Sequence, residues 1–212
     1  MKSKTELIIN ELIEAWPTLA ECKEDIASAF ECIKKSYENN GKLLVCGNGG
    51  SAADSSHIVG ELMKGFKLPR KLSDSELSLF EAVGASEVAK GLQGALPAIS
   101  LVGEISLMTA FLNDCSPELI YAQQVYGLMK CEDVLVCLST SGNSVNVYNA
   151  ALTARAKCGK VISITGQAGG RLSSVSDVII RLPSAETFRI QEYTLPVYHA
   201  LCAMLEEEFF GE

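Results

Sequence analysis

Two histidines occur in 212 residues, and each lies among groups that could move a proton. His57 stands four residues before Glu61 in a stretch that reads as a helix, so the two share one face, with Asp54 about one turn earlier. An i,i+4 His/Glu pair suits general acid–base work or a divalent-metal site. The same pattern also describes a plain solvated helix face. His199 follows Gln191 by eight residues, close to two helical turns, so these two can also point the same way. Pro196 falls between them, removes one helical hydrogen bond and predicts a bend. Taken alone, His199 reads equally well as a polar residue in a helix–helix contact.

Two loops carry the other candidates. Ser139–Ser144 reads STSGNS, with the hydroxyls of Ser139, Thr140, Ser141 and Ser144 just ahead of a predicted helix. Hydroxyls and free amides at a helix N-terminus suit a phosphate, and the helix dipole adds to the attraction. An ordinary turn with an N-cap has the same composition. The turn Gly47-Asn48-Gly49-Gly50-Ser51 offers Asn48, Gly49 and Ser51 to a sugar. Neither loop is a nucleotide motif. No GK[ST] follows the serines, GNGGS is not GxGxxG, and no acidic residue ends the strand AISLV, so no nucleotide cofactor is expected.

These residues need a scaffold, and the apolar pattern supplies one. Residues 4–15 and about 18–39 read as two helices, the second capped by Thr18 with Glu21 as its capping-box partner and ended by Asn-Asn-Gly. Short apolar runs at Leu43–Cys46, Ala98–Val102, Asp133–Leu138, Lys160–Thr165 and Asp177–Leu182 read as buried strands. Helices are predicted at about 52–66, 104–112, 116–130, 144–158 and 186–209. Strands alternating with helices imply a three-layer α/β/α fold around a five-stranded parallel sheet. In such folds ligands bind beyond the carboxyl ends of the strands, where both polar turns fall. Residues 1–40 form an N-terminal helical layer, and residues 68–96 read as an insertion in one continuous domain spanning 1–212.

Composition narrows the class. The formal charge of −8 disfavours nucleic acid and anionic membranes as partners, so a bound phosphate must be held by local donors. No apolar stretch has transmembrane or signal-peptide length. Eight scattered cysteines without a CxxC fit buried thiols in a reducing cytoplasm.

Together the segments CGNGGSAADSSHIVGE (46–61), LSTSGNSVNV (138–147), ITGQAGG (164–170) and RIQE with His199 (189–199) resemble the sugar isomerase (SIS) family, and within it the phosphoheptose isomerase branch. The resemblance spans most of the chain in order. It implies a flavodoxin-like SIS fold, a homotetramer with sites between subunits, and ketose–aldose isomerisation of sedoheptulose 7-phosphate through an enediol. It leaves open an isomerase of another phosphosugar, or a phosphosugar-binding module without catalysis. By motif match, Ser139, Thr140, Ser141 and Ser144 would hold phosphate. Asn48, Gly49, Ser51, Asp54, Asp114 and Gln191 would contact or neighbour the substrate. Glu61 and His199 would be the catalytic pair. His57, Glu61, Gln191 and His199 would form a divalent-metal set, zinc where known. Where the family often has an arginine soon after its catalytic glutamate, this chain reads LMKGF, with Lys64 and Lys67 nearby.

Overall fold

The computed structural model describes residues 1–211. Helix α1 (Ser3–Ala15) is followed by a 3₁₀ turn, Pro17–Cys22, and α2 (Lys23–Glu38). The predicted Thr18 cap does not form, and neither segment has a side-chain N-cap. Leu19 and Cys22 explain the difference. Both are buried, and a 3₁₀ turn stacks residues three apart on one side.

The sheet begins with β1 (Leu43–Gly47), which leads through a Gly-rich turn into α3 (Gly50–Met63). Residues 74–91 then form a helical excursion, α4 (Asp74–Ala82) and α5 (Ser86–Gly91). A complete capping box joins Ser73 and Glu76 at the start of α4. Next come β2 (Ala98–Ser100), α6 (Ile105–Asp114), a 3₁₀ turn at Pro117–Leu119 and α7 (Ile120–Leu128). The chain continues through β3 (Val134–Leu138), α8 (Val145–Ala156), β4 (Lys160–Gly166), β5 (Val178–Leu182) and the long α9 (Thr187–Phe210). Pro196 lies inside α9 without ending it.

All strand pairs are parallel, in the order β2-β1-β3-β4-β5. The register aligns Gly47 with Leu138, Leu138 with Ile164, and Gly166 with Leu182. The turns after β1, β3, β4 and β5 therefore emerge along one edge, and three of them lead directly into α3, α8 and α9.

Burial on both sheet faces explains the continuous apolar strands. Leu43, Val45, Val134, Val136 and Leu138 pack with Phe30, Ile58, Leu62, Val197 and Leu201 from α2, α3 and α9. The alternate residues Leu44, Cys46, Leu135 and Cys137 pack with Val125, Ala150 and Ala154 from α7 and α8. Two helical segments lie outside this core. Neither α4 nor α6 has a fully buried residue, and Leu79 and Ile105 are more than two-thirds exposed. No helix among the described residues is long and apolar enough to cross a membrane.

Candidate active site

The β1 turn is shaped by glycine. Gly49 has φ +57°, and a Cβ on Gly47 would lie 2.7 Å from the Ser51 side chain. This tight path brings the first turn of α3 directly under the end of β1. Across the sheet, the Ser139–Ser144 loop turns at Gly142 (φ +66°), where a Cβ would meet the Gly169 carbonyl at 2.0 Å. Only glycine permits that approach between the turns after β3 and β4.

The two loops are tied together. Asn48 and Asn146 exchange side-chain amide hydrogen bonds, 2.9 Å in each direction. The Tyr121 hydroxyl donates to the Gly47 carbonyl (2.6 Å) and lies 3.2 Å from Asn48 Oδ1. Between them lies a cavity of about 270 Å³, lined by Asn48, Gly49, Ser51, Ser139, Thr140, Ser144 and Gln191, among others. Ser139 and Ser144 share a hydroxyl contact of 3.1 Å. Ser144 occupies the N-cap position of α8 without capping it by its side chain, so its hydroxyl faces its neighbours in the loop. Ser141 is placed differently: it is exposed, and its Oγ accepts the Asn143 amide. Hydroxyls and the N-termini of α3 and α8 meet here, an arrangement suited to a phosphate in an acidic protein.

The candidate proton-moving groups lie farther along α3 and α9. The two helices run side by side in the same direction. A Cβ on Gly50 would meet Gln191 Nε2 at 2.8 Å, and Asp54 and His57 meet Tyr198 further on. His57 Nε2 lies 3.0 Å from Glu61 Oε1, while Lys64 Nζ donates to Glu61 Oε2 at 3.0 Å. His199 packs edge-on against His57, with ring centroids 5.0 Å apart, and also contacts Phe66. Its Nε2 is buried without a hydrogen-bond partner. Burial, helped by the neighbouring His57, lowers the His199 pKa, and Glu61 opposes that shift. Burial raises the Asp54 carboxyl, against the Tyr198 hydrogen bond and His57. The Tyr198 phenol is pushed up by burial and by Asp54.

The predicted residues thus fall into two groups and two outliers, Asp114 and the exposed Ser141, which does not line the cradle. The cradle holds Asn48, Gly49, Ser51, Ser139, Thr140, Ser144 and Gln191. The α3/α9 cluster holds Asp54, His57, Glu61 and His199. Gln191 lines the cradle, whereas His199 lines a separate cavity of about 590 Å³ with Trp16, Arg189 and Pro196. Asp114 sits in the last turn of α6, exposed, and accepts a bond from the Asn113 amide. Among the described residues, no three of His, Cys, Asp and Glu are grouped to hold a metal ion as they stand.

Comparison with known proteins decides the family. Two models described as SIS domain match residues 88–205 and 9–96. This chain belongs to the SIS family. The SIS chain is 38% identical over 192 residues to a phosphoheptose isomerase of Geotalea daltonii, covering 91% of this chain and 88% of that protein. Its fold matches a phosphoheptose isomerase from Francisella tularensis with a TM-score of 0.75 at 30% identity, covering 98% and 100% of the two chains. It matches another from Neisseria gonorrhoeae with a TM-score of 0.73 at 30% identity, covering 97% and 100%.

Several residues of the SIS site carried no signal in the sequence reading. Asn146 and Tyr121 brace the cradle, and Tyr198 bonds His57. Arg70 donates to the carbonyls of Glu61 and Leu62 and so ends α3 three residues earlier than its apolar pattern predicts. Asn146 stands within the resembling segment at 138–147 and was the most accessible of these. Tyr121 and Tyr198 depend on contacts more than seventy residues apart in the chain, and Arg70 on a turn back onto the end of α3.

Proposed function

We propose that this chain is a phosphoheptose isomerase, interconverting sedoheptulose 7-phosphate and D-glycero-D-manno-heptose 7-phosphate. One observation carries the reading. The parallel pair α3 and α9 starts at the phosphate-suited cradle, where Gly50 meets Gln191, and a few turns on brings Glu61, His57 and His199 together. The relatives named phosphoheptose isomerase support the choice of substrate.

The cradle would hold the phosphate end, with Ser139, Thr140 and Ser144 donating and Asn48 and Ser51 orienting the chain of hydroxyls. Glu61 takes a proton from C1 of the ketose to give the enediol, exchanges it with solvent, and delivers a proton to C2. His199, whose Nε2 has no partner and whose pKa is lowered, serves as the second proton carrier between the two oxygens. Asp114 would reach the substrate only from the end of α6.

The donors that would hold a divalent cation, zinc by chemistry, are His57, Glu61 and His199, which would have to turn from their present partners toward a common point. The unpartnered His199 Nε2 beside a second imidazole and a carboxylate is the N,N,O set that zinc favours. Gln191 would complete the set from α9. Such an ion would polarise the sugar oxygens and stabilise the enediolate.

The exposed apolar side chains of α4 and α6 support assembly into a homotetramer, with sites completed between subunits. A reducing cytoplasm is part of the same reading, although the thiols are not all buried as expected: Cys22, Cys46, Cys137 and Cys202 are buried, whereas Cys115, Cys131 and Cys158 are exposed.

The test is incubation of purified protein with sedoheptulose 7-phosphate in deuterated water. Deuterium is expected at C1 or C2, and Glu61→Gln and His199→Ala should bind substrate without exchanging it. Binding of several phosphosugars with no exchange would overturn the enzyme reading.

A further inference from the structure

Among the described residues that line the cradle, none is a lysine or an arginine, and the protein carries a formal charge of −8. A phosphate there depends on uncharged donors. The hydroxyls are not equally free to serve. Those of Ser139 and Ser144 lie 3.1 Å apart, so one of their two protons is spent between them. Ser51, Thr140 and Thr187 line the same cavity, and their hydroxyls have no hydrogen-bond partner among the described residues. The sequence resemblance gives Ser51 and Thr140 to the ligand and assigns no role to Thr187.

The turn after β5 brings Thr187 to this place. It is the first residue of α9 and stands four residues before Gln191, so the two share the face of the helix that meets the cradle. Gly166 lets this turn close on the serine loop. Its amide donates to the Thr140 carbonyl at 2.9 Å, and a Cβ on it would lie 2.9 Å from the carbonyl oxygens of both Thr140 and Ser184. The Ser184 carbonyl also accepts the Gln167 amide, and its hydroxyl accepts the Glu186 amide. Thr187 therefore leaves a braced turn. The starts of α3, α8 and α9 all reach the cavity, and each brings one hydroxyl: Ser51, Ser144 and Thr187.

We propose that Thr187 is a further substrate-binding residue, whose hydroxyl donates to the phosphate of the sugar. The contact itself rests on the geometry of the cradle, and its effect on turnover rests on the isomerase reading above. A phosphate monoester presents three strong acceptor oxygens, enough to take the Thr187 proton together with those of Ser51 and Thr140. His199 lies twelve residues farther along the same helix, so the Thr187 hydroxyl acts on binding and not on the proton transfers.

Titration calorimetry of the full-length protein with inorganic phosphate, beside turnover of sedoheptulose 7-phosphate, tests the assignment. Thr187→Val keeps the branched shape and loses the hydroxyl. Its phosphate Kd and its KM should both rise by about 10- to 100-fold, the usual weight of a hydrogen bond to a charged group, with kcat within about threefold. Thr187→Ser restores a hydroxyl and should stay within about threefold of the wild type in both. Thr187→Ala takes the place of the valine variant should that one not fold. Unchanged phosphate affinity without the hydroxyl overturns the proposal, and so does a serine variant as weak as the valine one. A wild type that binds no phosphate overturns it too. Phosphate affinity that follows the hydroxyl, in a protein that does not turn over sedoheptulose 7-phosphate, would instead sink the isomerase reading and leave Thr187 in the phosphate site.

Discussion

Arg70 and Glu206 meet with both side chains sealed from water, Nε to Oε1 at 2.8 Å. The pair joins three parts of the molecule. Arg70 also takes the carbonyls of Leu62 and Glu61 at the end of α3 and lies 4.9 Å over the Phe210 ring. Glu206 also accepts the backbone amides of Phe66, Lys67 and Leu68. The charges are thus compensated by hydrogen bonds on every side, the condition under which a buried ion pair is tolerated.

Removing one partner strands the other. Arg70→Met should destabilise the fold by about 3–5 kcal/mol, because Glu206 would keep its charge without its cation. Urea unfolding would measure it. A loss under about 1 kcal/mol would mean that water reaches the site. Because Arg70 holds the Glu61 carbonyl, the surviving folded fraction should also turn over more slowly.

Acid should loosen the end of α9 through Glu208. Burial opposes its charge, yet Lys34, the Lys2 amide and the Thr5 hydroxyl hold its pKa down to about 2. A carboxyl lowered from 4.5 stabilises the fold above its unfolded value and loses that contribution as pH falls from about 4.5 towards 2. Melting temperature followed over that window should drop less steeply in Lys34→Met than in the wild type. Parallel curves would show that Lys34 does not hold Glu208.

Gly142→Ala should damage the cradle out of proportion to one methyl group. The new Cβ would meet the Gly169 carbonyl at 2.0 Å, at a φ of +66° that disfavours alanine. A cost of about 1–3 kcal/mol is expected from the backbone alone. The reading is a raised KM for sugar phosphate and weaker protection by inorganic phosphate in a thermal shift assay. Unchanged phosphate protection would place the anion elsewhere.

Asn48 and Asn146 should behave as one unit. Each is the other's donor and acceptor, so Asn48→Ala and Asn146→Ala should raise KM by similar amounts. The double variant should show a coupling of about 0.5–3 kcal/mol in a double-mutant cycle. Strict additivity would mean that Asn48 acts on substrate independently of its partner.

Much of this was legible from one chain read in order. The five strands are local apolar runs bounded by turns, and their alternation with helices determines a parallel sheet whose polar turns share an edge. The Ser139–Ser144 and Gly47–Ser51 loops announce themselves by hydroxyls and glycines at helix starts. His57 and Glu61 share a face because four residues are close to one helical turn. The 3₁₀ start of α2 and the early end of α3 were not legible in this way. They depend on Leu19 finding the core and on Arg70 finding two carbonyls.

What the sequence by itself determined was the set of chemical groups and the edge of the sheet to which they belong, since both follow from local pattern and parallel topology. Only the tertiary structure decided how those groups divide. It laid α9 parallel to α3, so that Gln191 meets the cradle while His199 meets His57. It also set Tyr198, Asn146 and Arg70 against partners far away in the chain. The physical reason is that hydrogen-bond geometry acts over about 3 Å, whereas sequence pattern records only which face of its own element a residue occupies.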